Sequence, residues 1–311
     1  MRSRVISVAV TALCLWPQAV APASLPPHGR GDPPNVVIVT TSAVEVFGQA
    51  VEGIERGLGT AAKIIVVDLA NSPDGGAREL KGSDIRLFIA VGNNALEYAS
   101  QLKTAPVLAT MLLRADLFAS GNHPAAGAVM LDLSLSEILA DGAKLFPGRA
   151  RAAIIRSPGP QALPPQTLEA EAKAAGMSIR VVDCLTPDRL LPAFLSLRGQ
   201  VDFVICPPDG KLFNSTTVRP LILASLEHRL PVIGFSESFV RTGAMAGVYP
   251  DYAEVGVQTG ELARKYLSGT PSGENQYPKK TRMAVNARVA RLLGLRLPAG
   301  AEKNPGMVVV E

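Results

Sequence analysis

The chain has 311 residues and a formal net charge of +4, with 47% hydrophobic and 19% charged residues. At roughly 150 residues per domain this length indicates two domains, and the composition excludes both a disordered polyampholyte and a multi-span membrane protein. The basic residues form no run, so we expect no nucleic-acid partner.

The N-terminus has the pattern of a secretory signal peptide. Arg2 and Arg4 precede an apolar run, and small residues follow that run. At about a dozen residues, the run is shorter than the roughly 20 that a membrane-spanning helix requires. We therefore predict a signal peptide over residues 1–23, a flexible lead-in over 24–34, and a periplasmic or otherwise extracytoplasmic mature protein. A retained membrane anchor and a lipid attached at Cys14 are the alternatives.

From Asn35 onward, short β-rich apolar runs alternate with helical patterns. This alternation is typical of a parallel sheet whose strands are connected by helices. The pattern occurs twice, with strand runs that begin near residues 35, 62, 85 and 105, and again near 151, 178, 202 and 230. Each interval leaves room for one crossover helix. We therefore predict an α/β fold with two Rossmann-like lobes of parallel sheet, joined by hinge strands.

The two lobes are expected to meet near residues 126–133, where GAVMLDL can pass as a strand from one lobe to the other. Lobe I is predicted over residues 35–129 and 251–278, and lobe II over 130–250 and 279–298, with a peripheral tail over 299–311. The hinge strands are expected near residues 129–133, 248–251 and 279–286.

The helix predicted to begin at Asp251 is the reason for returning the chain to lobe I. Asp251 and Glu254 resemble a capping box, and Gly256 and Gly260 leave one face of the helix small. Each glycine costs about 1 kcal/mol relative to alanine inside a helix, so we expect a closely packed partner on that face.

Two cysteines, Cys184 and Cys206, remain after the leader, and each ends a predicted strand of the second lobe. In a doubly wound lobe of strand order 2-1-3-4, these two strands flank the first strand instead of touching each other. A separation of roughly 9 to 10 Å exceeds the Cα distance of about 7 Å that a disulfide tolerates. The sequence therefore predicts two free, mostly buried thiols.

Ligands of parallel α/β sheets bind beyond the carboxyl ends of the strands, where helix N-termini present unpaired N–H groups. Hydroxyl, amide and carboxylate residues at these positions, with one glycine, are the candidate ligand-binding residues. They are Thr41, Ser42, Gly92, Asn93, Asn94 and Thr110 in the first lobe and Ser157, Asp209, Ser236 and Glu237 in the second. Backbone N–H groups and hydroxyls would hold a solute carboxylate while Asp209 or Glu237 faces an amine, which makes an amino-acid-like solute our hypothesis.

Each candidate also has a purely structural interpretation. Ser42, Asn93 and Asn94 are good helix caps, and Asp209 lies in PPDG, which is a turn sequence. Glu237 can be a solvated acid in the first turn of a helix.

Catalytic patterns are absent from the sequence. The segment Gly234-Phe235-Ser236-Glu237-Ser238 approaches a nucleophile elbow, but it lacks the second glycine and no histidine follows it. The histidines His28, His123 and His228 lack the spacing of a metal site, and there is no dinucleotide or P-loop fingerprint. We therefore expect no enzyme activity, no cofactor and no metal.

A family resemblance is carried by LPVIGFSESFVRTGAMAGVYPDYAEVGVQTGELARKYLSG, by MAVNARVARLLGLRLP, and by VGNNALEYA with the later APVLATML. These segments resemble the ABC transporter substrate-binding protein family, whose fold is similar to that of type I periplasmic binding proteins. The chain departs from the family at Asn93, where a small hydroxyl residue is usual, and at Arg156-Ser157, where an asparagine is common. These departures bear on the ligand more than on the fold.

The resemblance implies a receptor that captures a small polar solute between its lobes by hinge closure. Its partners would be that small-molecule ligand and an inner-membrane ABC permease, and we expect the receptor to be a monomer. A ligand-sensing subunit of a membrane receptor and an exported α/β enzyme are the alternatives.

Overall fold

The computed structural model describes residues 32–72, 76, 80, 82–119, 124, 126–159, 162–270, 275–297, 301, 304 and 306–311. The predicted signal peptide, Cys14 and most of the predicted lead-in lie outside these residues. No helix in the described part of the chain is both long enough and apolar enough to cross a membrane.

The described residues form strands and helices that alternate along the chain. The strands are β1 (Asn35–Thr40), β2 (Lys63–Asp68), β3 (Ile85–Val91), β4 (Val107–Leu112), β5 (Ala128–Met130), β6 (Arg151–Arg156), β7 (Ser178–Asp183), β8 (Phe203–Ile205), β9 (Val232–Gly234), β10 (Ala246–Pro250), β11 (Asn275–Gln276), β12 (Thr281–Asn286) and β13 (Met307–Val310). The helices are Glu45–Leu58, Asn93–Leu102, Arg114–Ala119, Leu135–Leu145, Pro165–Ala174, Leu190–Ser196, Val218–Glu227, Glu237–Arg241, Tyr252–Leu267 and Ala287–Leu292, with short 3₁₀ turns at Gly59–Ala61 and Pro187–Arg189.

The strands form two sheets, as predicted. The first sheet has the order β2-β1-β3-β4-β5-β11 and is parallel throughout. The second has the order β7-β6-β8-β9-β10-β12-β13, and its strands are parallel except where β10 meets β12. Both sheets begin with the predicted order 2-1-3-4. The α/β class with two Rossmann-like units is confirmed.

The central strands are buried because helices cover both faces of each sheet. Val36 to Val39 of β1 have no exposed surface, and side chains that alternate along this strand belong to two different apolar clusters. This two-sided burial explains why the strands are continuous apolar runs instead of alternating patterns.

The chain passes between the two sheets three times: after β5, after β10 and after β11. The second and third passages are tied together. The amide of Asp251 donates to the carbonyl of Lys280 at 3.0 Å, and the Lys280 ammonium lies 2.7 Å from Glu254. Asp251 caps the helix by accepting from the Glu254 amide, but the Glu254 carboxylate pairs with Lys280, so only half of the predicted capping box forms.

The close partner expected for Gly256 and Gly260 is the Glu45–Leu58 helix, which presents two glycines at the same spacing. A Cβ added to Gly53 would lie 2.9 Å from the Gly256 Cα, and one added to Gly57 would lie 3.0 Å from the Gly260 Cα. Each added Cβ would also overlap a backbone oxygen of the facing helix, that of Ala253 or Val257, which real Cβ atoms do not do. The four glycines therefore let the two helix backbones touch, and we call this contact the glycine crossing.

The tail differs from its prediction. Instead of being peripheral, Met307–Val310 forms β13 and pairs in parallel with β12 at the edge of the second sheet. The run MVVV suits an edge strand because β-branched residues pack well on a pleated surface.

Cys184 and Cys206 are free and buried, as predicted. They follow β7 and β8, and β6 lies between those strands. The strand order therefore keeps the two thiols apart.

Candidate ligand-binding cleft

A cavity of about 130 Å³ lies between the two sheets, at the carboxyl ends of strands from both. Its lining comes from the ends of β4, β5, β8, β9 and β10 and from the Leu135–Leu145 helix. The lining residues are Leu113, Leu131, Asp132, Leu133, Ile138, Ile205, Cys206, Pro207, Pro208, Gly234, Phe235, Val248 and Pro250. Asp132 is the one charged side chain among these described lining residues, so the cavity is apolar with a single carboxylate.

Asp132 is held from one side. Its Oδ2 accepts a hydrogen bond of 2.6 Å from the amide of Arg114, and the backbone amide of Asp132 itself also acts on the carboxylate. Burial raises the pKa of the Asp132 carboxyl, and the nearby Asp116 adds to this rise. The amide and the positive charge of Arg114 act in the opposite direction. A carboxyl in this environment is a typical candidate for a functional group.

Asp132 is absent from the residues predicted for the site. The signal was available, because Asp132 follows a buried strand run at its carboxyl end, as the predicted residues do. The run GAVMLDL instead predicts a strand that passes between the lobes, and this prediction assigns no role to Asp132.

The structure places Thr41 and Ser42 directly after β1, beside the end of β2. The Ser42 amide donates to Asp68 at 3.0 Å, and the Ser42 hydroxyl accepts from Asn71 at 3.1 Å. Hydrogen bonds from Ser42 lower the pKa of Asp68 to about 2. Ser42 does not cap the following helix, whose N-terminal residue Val44 has no side-chain cap.

Gly92, Asn93 and Asn94 form the N-terminal turn that follows β3. Gly92 has a φ of 87°, and a Cβ at this position would lie 2.6 Å from the ring of Phe47, so only glycine fits. Asn93 and Asn94 are exposed, and their side chains have no partner among the described residues.

Thr110, one of the predicted site residues, lies in the core of the first sheet's lobe. Its side chain is fully buried and is hydrogen-bonded to the hydroxyl of Thr259 at 2.9 Å. The reason is strand alternation: Leu108, two residues earlier, faces the core beneath the Tyr252–Leu267 helix, so Thr110 faces the same way. Thr110 is therefore a core residue in this structure.

Asp209 has a structural role. Its Oδ1 accepts from the amides of Lys211 and Leu212 at 3.0 and 3.2 Å, and its Oδ2 accepts from the amide of Ser157 at 3.0 Å. The carboxylate thus organises its own turn and fastens it to the loop after β6. The alternative interpretation as a turn residue describes Asp209 well, and the amide of Ser157 is occupied by the same contact.

Ser236 and Glu237 begin the short helix after β9. The Ser236 hydroxyl caps this helix by accepting from the amide of Phe239 at 3.1 Å. Glu237 lies 2.9 Å from the Nε of Arg241 and accepts a hydrogen bond of 3.4 Å from the hydroxyl of Tyr249. Burial, followed by the charge of Glu237, raises the pKa of Tyr249 to about 12. The Glu237 charge is therefore largely balanced within the protein.

The predicted residues share the carboxyl-end edge of the two sheets, which is the edge where the cavity lies, but none of them lines the cavity. Arg156 is likewise engaged within its lobe, through Asp183 at 2.9 Å and the carbonyl of Leu163 at 2.6 Å. Among the described residues no cluster of His, Cys, Asp and Glu has the arrangement of a metal site, while His28 and His123 lie outside that part of the chain.

Part of the sequence is similar to a curated binding protein. A tyrosine-binding protein of Clostridioides difficile is 30% identical over 89 residues, which are 29% of this chain and 25% of that protein. The chain thus spans a quarter of the length of that curated relative.

Two solved structures show the same fold. The ligand-free, open structure of a substrate-binding protein with adhesive properties from Clostridium difficile has a TM-score of 0.62 and 18% identity, and it covers 89% of this chain and 99% of its own. A structure titled as an ABC domain in complex with L-Trp, from Streptococcus pneumonia, has a TM-score of 0.57 and 17% identity, and it covers 90% of this chain and 100% of its own.

The model of the family described as ABC transporter substrate binding protein matches residues 68–309, which is most of the chain and includes strands of both sheets. Together with the two sheets and the cavity between them, this match means that the chain belongs to the family of ABC transporter substrate-binding proteins.

Proposed function

We propose that this substrate-binding protein captures a small, amino-acid-like solute between its two lobes and delivers it to an inner-membrane ABC permease for import. The observation that supports this proposal is the interlobe cavity, where the carboxyl ends of strands from both sheets meet around a single carboxylate. The family consists of binding proteins, and nothing in the proposed role requires catalysis.

The size and lining of the cavity indicate how a solute would be held. A volume of about 130 Å³ is close to that of cavities that hold one small ring, and it is below the range of about 300 Å³ and more that is usual for whole ligands. An apolar group of the solute would fill the cavity. The polar groups of the solute would reach the exposed Asn93 and Asn94, which follow β3 of the first sheet.

Closure of the lobes would follow from contacts to both. A solute that touches both lobes stabilises the closed form more than the open one, and this difference in affinity drives the movement. The lobes would rotate about the three chain passages between the sheets. In this proposal lobe I comprises residues 35–129 and 251–278, and lobe II comprises residues 130–250 and 279–298.

Location and partners complete the proposal. Substrate-binding proteins of ABC transporters are extracytoplasmic, so we assign this chain to the periplasm or another extracytoplasmic compartment, reached through the leader at residues 1–23. It would work as a monomer that presents its closed form to the permease. The tyrosine-binding relative and the neighbour bound to L-Trp support an amino acid as the class of solute.

Native mass spectrometry of the protein purified from its own cells, followed by isothermal titration with the common amino acids, tests this proposal. We expect a co-purified small molecule and a dissociation constant near 1 µM, which corresponds to about 8 kcal/mol. Trp16 is the only tryptophan and lies in the leader, so a tryptophan fluorescence titration would not report on the mature protein. A protein that binds no small solute in either experiment would refute the proposal.

A further inference from the structure

Asp132, Asp209 and Glu237 are acids that follow strands at the carboxyl-end edge of the two sheets, and they differ in how many partners they have. Asp209 accepts from three backbone amides, and Glu237 is paired with Arg241 and Tyr249. Asp132 accepts from the amide of Arg114, with a further contribution from its own backbone amide. Among these described acids, Asp132 therefore has the greatest remaining capacity to accept hydrogen bonds.

Asp132 is also the acid that lines the cavity. Asp132 lies two residues after Met130, the buried last residue of β5, so the sheet fixes its backbone. The amide of Arg114 fixes its Oδ2 at 2.6 Å. A carboxylate fixed in this way, with unused hydrogen-bonding capacity, is arranged to receive a donor from within the cavity.

The unliganded protein pays a free-energy cost for this arrangement. The backbone hydrogen bonds to this partly buried carboxylate do not fully compensate for the water it has lost, and the rise in the pKa of Asp132 expresses that cost. The charged groups around it are the Arg114 guanidinium and the Asp116 carboxylate, and the Cys206 thiol lies in the same lining. Burial keeps that thiol protonated by raising its pKa.

We propose that Asp132 is the residue that binds the cationic group of the solute, and that the solute class is a primary ammonium compound whose apolar portion fits against Leu113, Ile138 and Phe235. This inference rests on the proposed function and refines it, because it replaces Asp209 and Glu237 as the partners of the solute amine. An ammonium group supplies further hydrogen-bond donors to Asp132 and adds a positive charge to that of Arg114.

The test compares matched ligands on the wild-type protein. The probes are L-tyrosine and L-leucine, their decarboxylated amines tyramine and isoamylamine, and their deaminated acids 3-(4-hydroxyphenyl)propionate and 4-methylpentanoate. Isothermal titration should show that the amine-bearing compounds of the tyrosine or the leucine series bind. The deaminated acid of the same series should have a dissociation constant roughly 30-fold higher or more, because a buried charge pair has lost one partner. A deaminated acid that binds as tightly as its amino acid would overturn the inference.

The second part of the test uses Asp132→Asn, with Asp116→Asn as a control that removes an equal charge nearby from outside the cavity lining. We expect the dissociation constant of the amine ligand to rise roughly 30-fold or more in Asp132→Asn and less than about 3-fold in Asp116→Asn. The thermal midpoint of ligand-free Asp132→Asn should equal or exceed that of wild type, which would separate lost recognition from lost folding. Unchanged affinity in Asp132→Asn would overturn the inference and leave the proposed function intact.

If none of the six probes binds, the molecule that co-purifies with wild-type protein decides the question. A co-purified primary amine whose binding depends on Asp132 supports the inference. A neutral or anionic solute overturns it while supporting solute capture, and the absence of any bound solute refutes the proposed function itself.

Discussion

The glycine crossing and the interlobe cavity show opposite solutions to burial within one molecule. At the crossing, Gly53 and Gly57 meet Gly256 and Gly260 so closely that no side-chain atom fits between the helices. At the cavity, apolar side chains leave about 130 Å³ unfilled around a carboxylate that accepts from the amide of Arg114. Close contacts between atoms stabilise the crossing. The cavity lacks such contacts, and its carboxylate has unused hydrogen-bonding capacity. The difference indicates which region is framework and which is available to a ligand.

The strongest way to break this comparison is to fill the crossing. A Cβ at Gly256 would collide with the carbonyl oxygen of Ala50, so Gly256→Ala should force the helices apart and lower the free energy of unfolding by about 3 kcal/mol. Urea denaturation measures this change. The matched control is Gly48→Ala in the Glu45–Leu58 helix, where a Cβ meets nothing within 4 Å, and it should raise stability by about 0.5 to 1 kcal/mol. Equal effects of the two substitutions would disprove close contact at the crossing.

Asp209 sharpens the comparison because it is the fully partnered counterpart of Asp132. Asp209→Ala removes the acceptor of three amide donors in two loops, and we expect a loss of about 2 kcal/mol of unfolding free energy. Chemical denaturation measures the loss, and hydrogen exchange at Ser157 and Leu212 should become faster. Unchanged exchange at both amides would show that the carboxylate does not hold the loops.

Asp132→Asn should change stability in the opposite direction. The amide oxygen of asparagine can still accept from Arg114, while the cost of a buried charge is removed, so ligand-free protein at neutral pH should gain about 1 kcal/mol. The sign of the pH dependence follows from the raised pKa. Between the unfolded value near 3.8 and the higher folded value, the folded state binds more protons, so this group makes wild type less stable as pH rises. Thermal midpoints of both proteins across this window should diverge with rising pH, and parallel curves would contradict the expectation.

The smallest effect is expected at Asp68, an exposed acid at the far end of the first sheet. Its pKa of about 2 means that its contribution to stability is present above the unfolded value of 3.8 and is lost as pH falls towards 2. Solvent screening keeps that contribution to tenths of a kcal/mol. A carbon-detected NMR titration of Asp68 should give a midpoint near 2, and Ser42→Ala should move it upward. An unmoved midpoint would show that Ser42 is not its main partner.

Much of the framework could be predicted from the sequence because it depends on periodic patterns. The repeated strand runs predicted two lobes with strand order 2-1-3-4, the spacing of Gly256 and Gly260 predicted a close helix contact, and the strand order predicted the free thiols at Cys184 and Cys206. These features follow from local spacing and from the geometry of parallel sheets.

The candidate site was harder to predict because it depends on contacts between distant segments. Asp209 and Asp132 both follow buried strands, but their roles are decided by the amides of Ser157 and Arg114, which lie 52 and 18 residues away along the chain. No pattern around either acid shows whether those amides reach it. Thr110 likewise lies at a strand end, and only the arrival of Thr259 from the other half of the sequence makes it a core residue.

The position of β13 has a consequence for the order in which the molecule is completed. β12 has β10 on one side and β13 on the other, so the third connection between the lobes belongs to an interior strand that is finished only by Met307–Val310. A ribosome or an export channel releases Met307–Val310 after β10 and β12. Until β13 pairs with it, β12 presents an open hydrogen-bonding edge, so the strand that follows the third passage between the sheets is protected only once the chain has emerged through Val310.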